Sequence, residues 1–144
     1  MKPQTAIALR TPGVSAIIQA MRRAVYERLV QEALANLPDE LRSRIQNLEI
    51  VIEDRPSRDQ LAAAGLRPPA TLLGLYQGVP LKDRGAWYGN VLPDKITIFR
   101  KPIEAQCRTW DDLVHTVRQT VLHEVGHYFG LSEERLQEIE GAWR

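Results

Sequence analysis

The sequence has little that could cross-link the chain or anchor it in a membrane. It contains one cysteine, Cys107, so no disulfide can form within the chain and the fold does not depend on oxidation. No apolar run approaches the roughly 18 residues of a membrane span. Residues 1–20 are interrupted by Pro3, Arg10 and Pro12, and show no signal-peptide pattern. We therefore expect a cytoplasmic protein with no membrane partner.

The chain also lacks an excess of charge of either sign. Its formal net charge is +1 over 144 residues, and acidic and basic residues are interleaved. Domains that bind nucleic acids carry a concentrated basic surface, so this balance argues against a nucleic-acid partner. The apolar fraction of 44% and the charged fraction of 26% are those of an ordinary globular protein, and the length fits one domain.

The pattern of residues changes near position 21. Residues 1–20 are punctuated by proline and glycine and have weak periodicity, which predicts a flexible N-terminal tail. Residues 21–144 predict a single domain. Apolar residues recur at helical spacing from Arg22 to Leu37, and Pro38 opens a short second helix. Another short helix is predicted over residues 58–65.

Three segments have the composition of β-strands: residues 48–53 (LEIVIE), 71–79 and 95–100 (KITIFR). Pro102 follows the third segment and predicts that this strand lies at an edge or an end of the sheet. An extended peptide substrate can add to a free strand edge, so we expect the third strand to hold the substrate. A small sheet between helical segments predicts an α/β (α+β) fold.

The longest predicted helix covers residues 109 to 129 and bears an apolar stripe of Val114, Val117, Val121 and Val125. Thr109 is the expected N-cap, and acidic residues in the first turn interact favourably with the helix dipole. Gly130 ends this helix. Ser132 is expected to cap a last short helix that runs through Ile139.

One turn of this helix has the pattern H-E-x-x-H: His123, Glu124, Val125, Gly126 and His127. Residues four apart lie only about 40° apart around a helix axis, so both imidazoles can reach one zinc ion at about 2.0–2.1 Å. Glu124 follows the first histidine and can take a proton from a water that the metal activates. The spacing therefore predicts two metal ligands and a general base.

A catalytic zinc site needs a third protein ligand and an open position. Gly130 comes three residues after the second histidine and can adopt a left-handed conformation that turns the chain back toward the metal. Glu133 is the first candidate for the third ligand, and Glu134 is the alternative. Both also lie where acidic residues stabilise a helix N-terminus without a metal. Asp111 and Glu138 are more distant options.

Other polar residues have weaker grounds for a role. His115 lies eight residues before His123, too far along the axis to share a metal, and is interpreted as structural or solvent-facing. Cys107 is a metal-ligand type, but its context differs from that of the peptide deformylases, so it is interpreted as a structural thiol. Tyr76 and Tyr88 could donate to an oxyanion, although packing explains them as well.

Several segments across the chain share one resemblance. They are YERLV (26–30), VIED (51–54), LLGLYQGVPL (72–81), LPDKITIFR (92–100) and HEVGHYFGLSEERL (123–136). Together they resemble the minimal zincin family of small bacterial metallopeptidases. The resemblance covers about residues 22 to 140, and LGLYQGVP is its most specific part outside the metal motif.

The resemblance implies a compact core with a small twisted sheet, a backing helix and an active-site helix. It implies His123 and His127 as zinc ligands, Glu124 as the base and an acidic residue after Gly130 as the third ligand. We therefore predict a zinc metallopeptidase with a peptide or protein substrate, although the donor set also accepts manganese, cobalt or nickel. The alternative is an inactive zinc-site protein that acts as a binding or regulatory module, which the small size favours and the intact Glu124 does not.

Overall fold

The computed structural model describes residues 14–79, 83–85 and 93–142. Within these ranges the chain has six helices and one three-stranded sheet, which confirms the predicted α+β class. The helices are α1 (Val14–Ala35), α2 (Asp39–Arg42), α3 (Arg58–Ala63), α4 (Arg100–Gln106), α5 (Trp110–Phe129) and α6 (Glu133–Ala142). The strands are β1 (Leu48–Glu53), β2 (Gly74–Gln77) and β3 (Asp94–Phe99). None of these helices is long and apolar enough to cross a membrane.

The sheet has the order β1-β3-β2, so the third strand is central. It pairs in parallel with β1 and antiparallel with β2. The prediction that the KITIFR strand lies at an edge is therefore wrong. Pro102 lies inside α4, so it does not limit the pairing of β3. The side chains of Ile96, Thr97 and Ile98 are all fully buried, which is typical of a strand covered on both faces.

The first helix begins earlier than the sequence pattern predicts. It starts at Val14, so residues 14–20, which we assigned to the tail, are helical. The side chains of Ile17 and Ile18 in this part are exposed, which explains why the sequence shows no amphipathic helical pattern there. Residues 1–13 lie outside the described ranges, and the division into a tail and one domain stays a prediction.

The core lies between the sheet and two long helices. Helix α1 packs against α5, and α5 packs against β2 and β3. The apolar side chains at the centre of this packing are Tyr26, Leu29, Val30, Ala33, Ile96, Ile98, Val117, Val121 and Val125. The valine stripe predicted from the sequence is thus the face of α5 that holds the helix against the sheet and leaves its other face for chemistry.

The ends of α5 follow the capping predictions. The Thr109 side chain accepts a hydrogen bond from the backbone N–H of Asp112, and the Asp112 side chain accepts one from the backbone N–H of Thr109. At the other end Gly130 has φ 74°, and the N–H of Leu131 donates to the carbonyl of Gly126 over 2.9 Å. The sharp turn at Gly130 sends α6 back alongside the end of α5.

Candidate metal centre

The two histidines of the H-E-x-x-H segment lie side by side on one half-exposed face of α5. The Nε2 atoms of His123 and His127 are 3.2 Å apart. The rings meet edge to face, with their centroids 4.8 Å apart and an angle of 81° between their planes. Both Nε2 atoms therefore point at the same small volume beside the helix.

This donor arrangement fits a tetrahedral metal ion such as zinc. With metal–nitrogen distances of about 2.0–2.1 Å, two ligands of a tetrahedral site stand about 3.3 Å apart, close to the observed separation. The ligand atoms of His123, Glu124 and His127 all lie within 4.8 Å of one another. Among the described residues, no other group of three histidine, cysteine or acidic side chains is as compact.

Glu124 is held between α5 and the edge of the sheet. Its side chain is 8% exposed, and its carboxylate accepts a hydrogen bond from the backbone N–H of Tyr76 in β2. Burial raises the pKa of Glu124 above its usual range, while the two nearby histidines and the Tyr76 N–H lower it. The sequence spacing predicted the position of this carboxylate, but it gave no sign of its bond to β2.

A glycine in β2 allows the strand to approach this helix closely. A Cβ atom on Gly74 would lie 2.8 Å from the Thr120 methyl group and 3.1 Å from Cγ of Glu124. Any larger residue at this position would push the strand away from the helix and weaken the contact between Glu124 and Tyr76.

The turn at Gly130 brings one of the two candidate third ligands toward the histidines. Oε1 of Glu133 lies 3.6 Å from Nε2 of His123, and its side chain is 63% exposed. The N–H of Arg135 donates to the Ser132 side chain, so Ser132 caps α6 as predicted. Glu134 is exposed in the same first turn. The structure thus favours the position of Glu133, and its role as a ligand stays a prediction.

Close packing between α5 and α6 fixes where Glu133 lies. Leu136 of α6 is 1% exposed and covers Gly126, which belongs to the H-E-x-x-H segment. A Cβ atom on Gly126 would stand 1.9 Å from Cδ2 of Leu136. The glycine inside the motif is therefore required for the approach of α6, a reason that the sequence pattern did not reveal.

The remaining polar candidates lie outside this group. His115 and Asp111 are exposed nearer the start of α5, and Glu138 pairs with Arg135 over 2.9 Å. Cys107 follows α4 and donates to Oγ1 of Thr116 over 3.6 Å. These contacts agree with structural or solvent-facing roles.

Only one of the two tyrosines suggested for an oxyanion role lies among the described residues, and its hydroxyl is bound elsewhere. The hydroxyl of Tyr76 donates to Oδ2 of Asp94 over 2.5 Å, and Tyr88 lies outside the described ranges. Asp94 also forms a buried ion pair with Arg84, with a separation of 2.7 Å. The Arg84 guanidinium stands 4.9 Å from the ring centre of Tyr128. Sequence reasoning missed this network, because the partners are far apart in the chain.

A cleft runs along the outer edge of β2 beside the face of α5 that bears His123 and His127. The part next to both histidines measures about 350 Å³ and is lined by Ala64, Leu72, Gly74, Leu75, Tyr76, His123, Glu124 and His127. Within the described residues β2 pairs with β3 alone, so its other edge faces this cleft. The carbonyl of Leu73 accepts a hydrogen bond from the Phe99 N–H, so the peptide group of Leu73 faces β3. Peptide groups alternate in direction along an antiparallel strand, and those of Gly74 and Tyr76 therefore face the cleft.

Comparison with known proteins points to one family. A family model described as zincin-like metallopeptidase matches residues 45–143. A comparison with curated proteins finds no match. The matched range includes all three strands and the group His123, Glu124 and His127, and it agrees with the resemblance seen in the sequence. Members of this family hold a metal ion, typically zinc, which fits the donor set described above.

Proposed function

Because the chain belongs to the zincin-like metallopeptidase family, we propose that it is a zinc-dependent peptide hydrolase with Glu124 as its general base. One observation carries this proposal. Two imidazole nitrogens 3.2 Å apart converge beside a buried carboxylate on the face of α5 that borders an open strand edge. These are the groups that metal-assisted hydrolysis requires, held on a rigid element.

In this proposal His123 and His127 hold the metal, and Glu133 completes the protein ligands. Held by these residues, a zinc ion would supply Lewis-acid chemistry: it would polarise the scissile carbonyl and lower the pKa of the attacking water toward neutrality. Glu124 takes the proton from that water and then gives it to the leaving amine. The hydrogen bond from the Tyr76 N–H keeps the carboxylate aimed at the cleft during both transfers.

The substrate is an extended peptide or protein segment that pairs with the outer edge of β2. The peptide groups of Gly74 and Tyr76 face this edge. Because the Tyr76 N–H already donates to Glu124, the Gly74 N–H and the carbonyls of both residues are the groups that would bind the substrate backbone. Both edges of β3 are already paired with neighbouring strands, so β3 cannot pair with a substrate. We therefore assign substrate binding to β2 instead. An extended substrate on β2 would place its backbone next to Glu124.

The test is a comparison of the wild-type protein with Glu124→Gln, both loaded with zinc. Peptide mixtures are incubated with each protein, and new termini are identified by mass spectrometry. We expect wild-type cleavage and at least a 100-fold loss in the variant, with zinc content unchanged, because the amide cannot accept the proton. Equal cleavage by both proteins would contradict the role of Glu124. Zinc binding without cleavage by either would favour the inactive binding module.

A further inference from the structure

A second hollow continues the cleft from His123 toward the start of α5. It measures about 320 Å³ and is lined by Leu72, Leu73, Gly74, Gln106, Thr116, Gln119, Thr120, His123 and Glu124. On α5, Thr116, Gln119 and Thr120 precede His123 by seven, four and three residues, so they share its face of the helix. The opposite wall is the chain that enters β2.

The size and place of this hollow suit one substrate side chain. Its volume of about 320 Å³ is ample for one amino-acid side chain. It borders Glu124 directly, so the side chain that enters it belongs to a residue next to the scissile bond. The hollow is therefore placed to decide which peptide bonds are cleaved.

The polar groups on its walls are carboxamides and hydroxyls. The hydroxyl of Thr120 donates to the carbonyl of Thr116 over 2.7 Å, and the Thr116 hydroxyl accepts from Cys107. In the described part of the chain, the carboxamides of Gln106 and Gln119 form no hydrogen bond with another residue. Each therefore offers both a donor and an acceptor to whatever enters the hollow.

The walls provide no partner for a charged side chain. Apart from His123 and Glu124, every lining residue is uncharged. A lysine or an acidic side chain entering here would lose solvent without gaining a counter-ion outside the metal-binding group, which is unfavourable. A neutral carboxamide can instead form reciprocal hydrogen bonds with a glutamine on the wall.

On these grounds we propose that the hollow is a specificity subsite for an asparagine or glutamine side chain of the substrate, read mainly by Gln119. This inference rests on the proposed function and names the substrate class of the same site. Gln119 is the main reader because it is half-buried on the rigid helix α5, whereas Gln106 is exposed at the end of α4. A gain of about 5- to 10-fold over a leucine side chain corresponds to one or two neutral hydrogen bonds.

The experiment measures binding rather than turnover. The probes are the N-acetyl hydroxamates of glutamine, asparagine, leucine, glutamate and lysine, whose hydroxamate group chelates a bound metal and brings the side chain beside it. Dissociation constants are measured by calorimetry on three zinc-loaded proteins: wild type, Gln119→Leu and the control Gln31→Leu. Gln31 is exposed on α1, so its replacement removes a carboxamide away from the cleft.

For the wild type and Gln31→Leu, we expect the glutamine and asparagine probes to bind about 5- to 10-fold more tightly than the other three. Gln119→Leu should lose this preference while keeping its affinity for the leucine probe, which shows that the variant is folded and loaded. Equal binding of all five probes, or a preference that survives Gln119→Leu, overturns the subsite and leaves the metal centre intact. No binding of any probe contradicts the metal centre itself, and the subsite with it.

Discussion

Two polar clusters meet at Tyr76, and they are built in opposite ways. On one side the Tyr76 hydroxyl donates to Asp94, whose charge is balanced by Arg84. On the other side the Tyr76 backbone N–H donates to Glu124, whose ionisable neighbours are His123, His127 and Glu133. In the first cluster the charges are balanced by protein side chains, and the second gathers the proposed metal ligands around one point.

This difference separates stability from function. The side chains of Arg84 and Asp94 are 7% and 3% exposed, and an ion pair buried so deeply strongly destabilises a fold when one partner is removed. The histidines and Glu133 are half-exposed or exposed, so their replacement leaves few buried polar groups without a partner. We therefore expect changes in the first cluster to reduce stability and changes in the second to reduce metal binding.

The largest expected effect is the loss of stability in Arg84→Met. Removal of the guanidinium leaves Asp94 charged, buried and without this partner, which costs about 3–5 kcal/mol of unfolding free energy. Urea unfolding measures the change. The control is Arg28→Met, which removes an exposed pair with Glu32 and should cost at most about 1 kcal/mol. Similar losses in the two variants would contradict the structural role of the first cluster.

The contact between Gly126 and Leu136 links the motif to α6 and gives the next effect. Gly126→Ala should cost about 1–3 kcal/mol, since the new methyl group overlaps the leucine. It should also weaken zinc binding, because α6 carries Glu133. The double variant Gly126→Ala/Leu136→Ala removes the overlap, so it should bind zinc more tightly than Gly126→Ala does. Competition with a chelator measures both affinities. Affinity unchanged in every variant would show that the position of α6 does not matter to the metal.

The third ligand can be identified by a matched pair of substitutions. Glu133→Gln should weaken zinc binding by at least about tenfold, given that partners outside the ligand shell alone contribute about 10- to 100-fold. Glu134→Gln is the control, because it makes the same change one residue later in the same helical turn. Chelator competition gives both affinities. If Glu134→Gln shows the larger loss, then Glu134 is the ligand.

The smallest effect concerns the exposed carboxylate of Asp54. Its hydrogen bond from Arg100 lowers the pKa of Asp54 below the usual 3.8 in the folded chain. The pair therefore adds stability above about pH 4, and this stability disappears as the pH falls through the lowered pKa. Asp54→Asn should be slightly less stable than the wild type at pH 7, and the two urea midpoints should converge below pH 4. A difference that grows in acid would contradict the assignment.

The sequence predicted best those features that local patterns determine. The extent of α5, its N-cap at Thr109 and its end at Gly130 each depend on residues within one turn. The approach of His123 to His127 follows from helical spacing alone. For the same reason the sequence could bring together two candidate ligands and a candidate base without any knowledge of the tertiary structure.

Features set by distant parts of the chain were missed. The position of β3 in the sheet depends on which strands pair with it, and Pro102 was interpreted as a limit on that strand although it belongs to α4. The buried pair of Arg84 and Asp94 joins the first residue of β3 to a residue ten positions earlier in the chain, a contact that no local pattern predicts. The need for Gly126 depends on Leu136, a residue of another helix, so it appears only when both helices are seen together.

The most direct test of the metal centre is elemental analysis of protein purified without a histidine tag or chelator, beside His127→Ala. We predict about one zinc ion per wild-type chain and almost none in the variant, because one of two converging nitrogens is lost. Circular dichroism of the variant establishes that it is folded. If neither protein holds metal after incubation with zinc, or if both hold the same amount, the two histidines do not form a metal site and the account is contradicted.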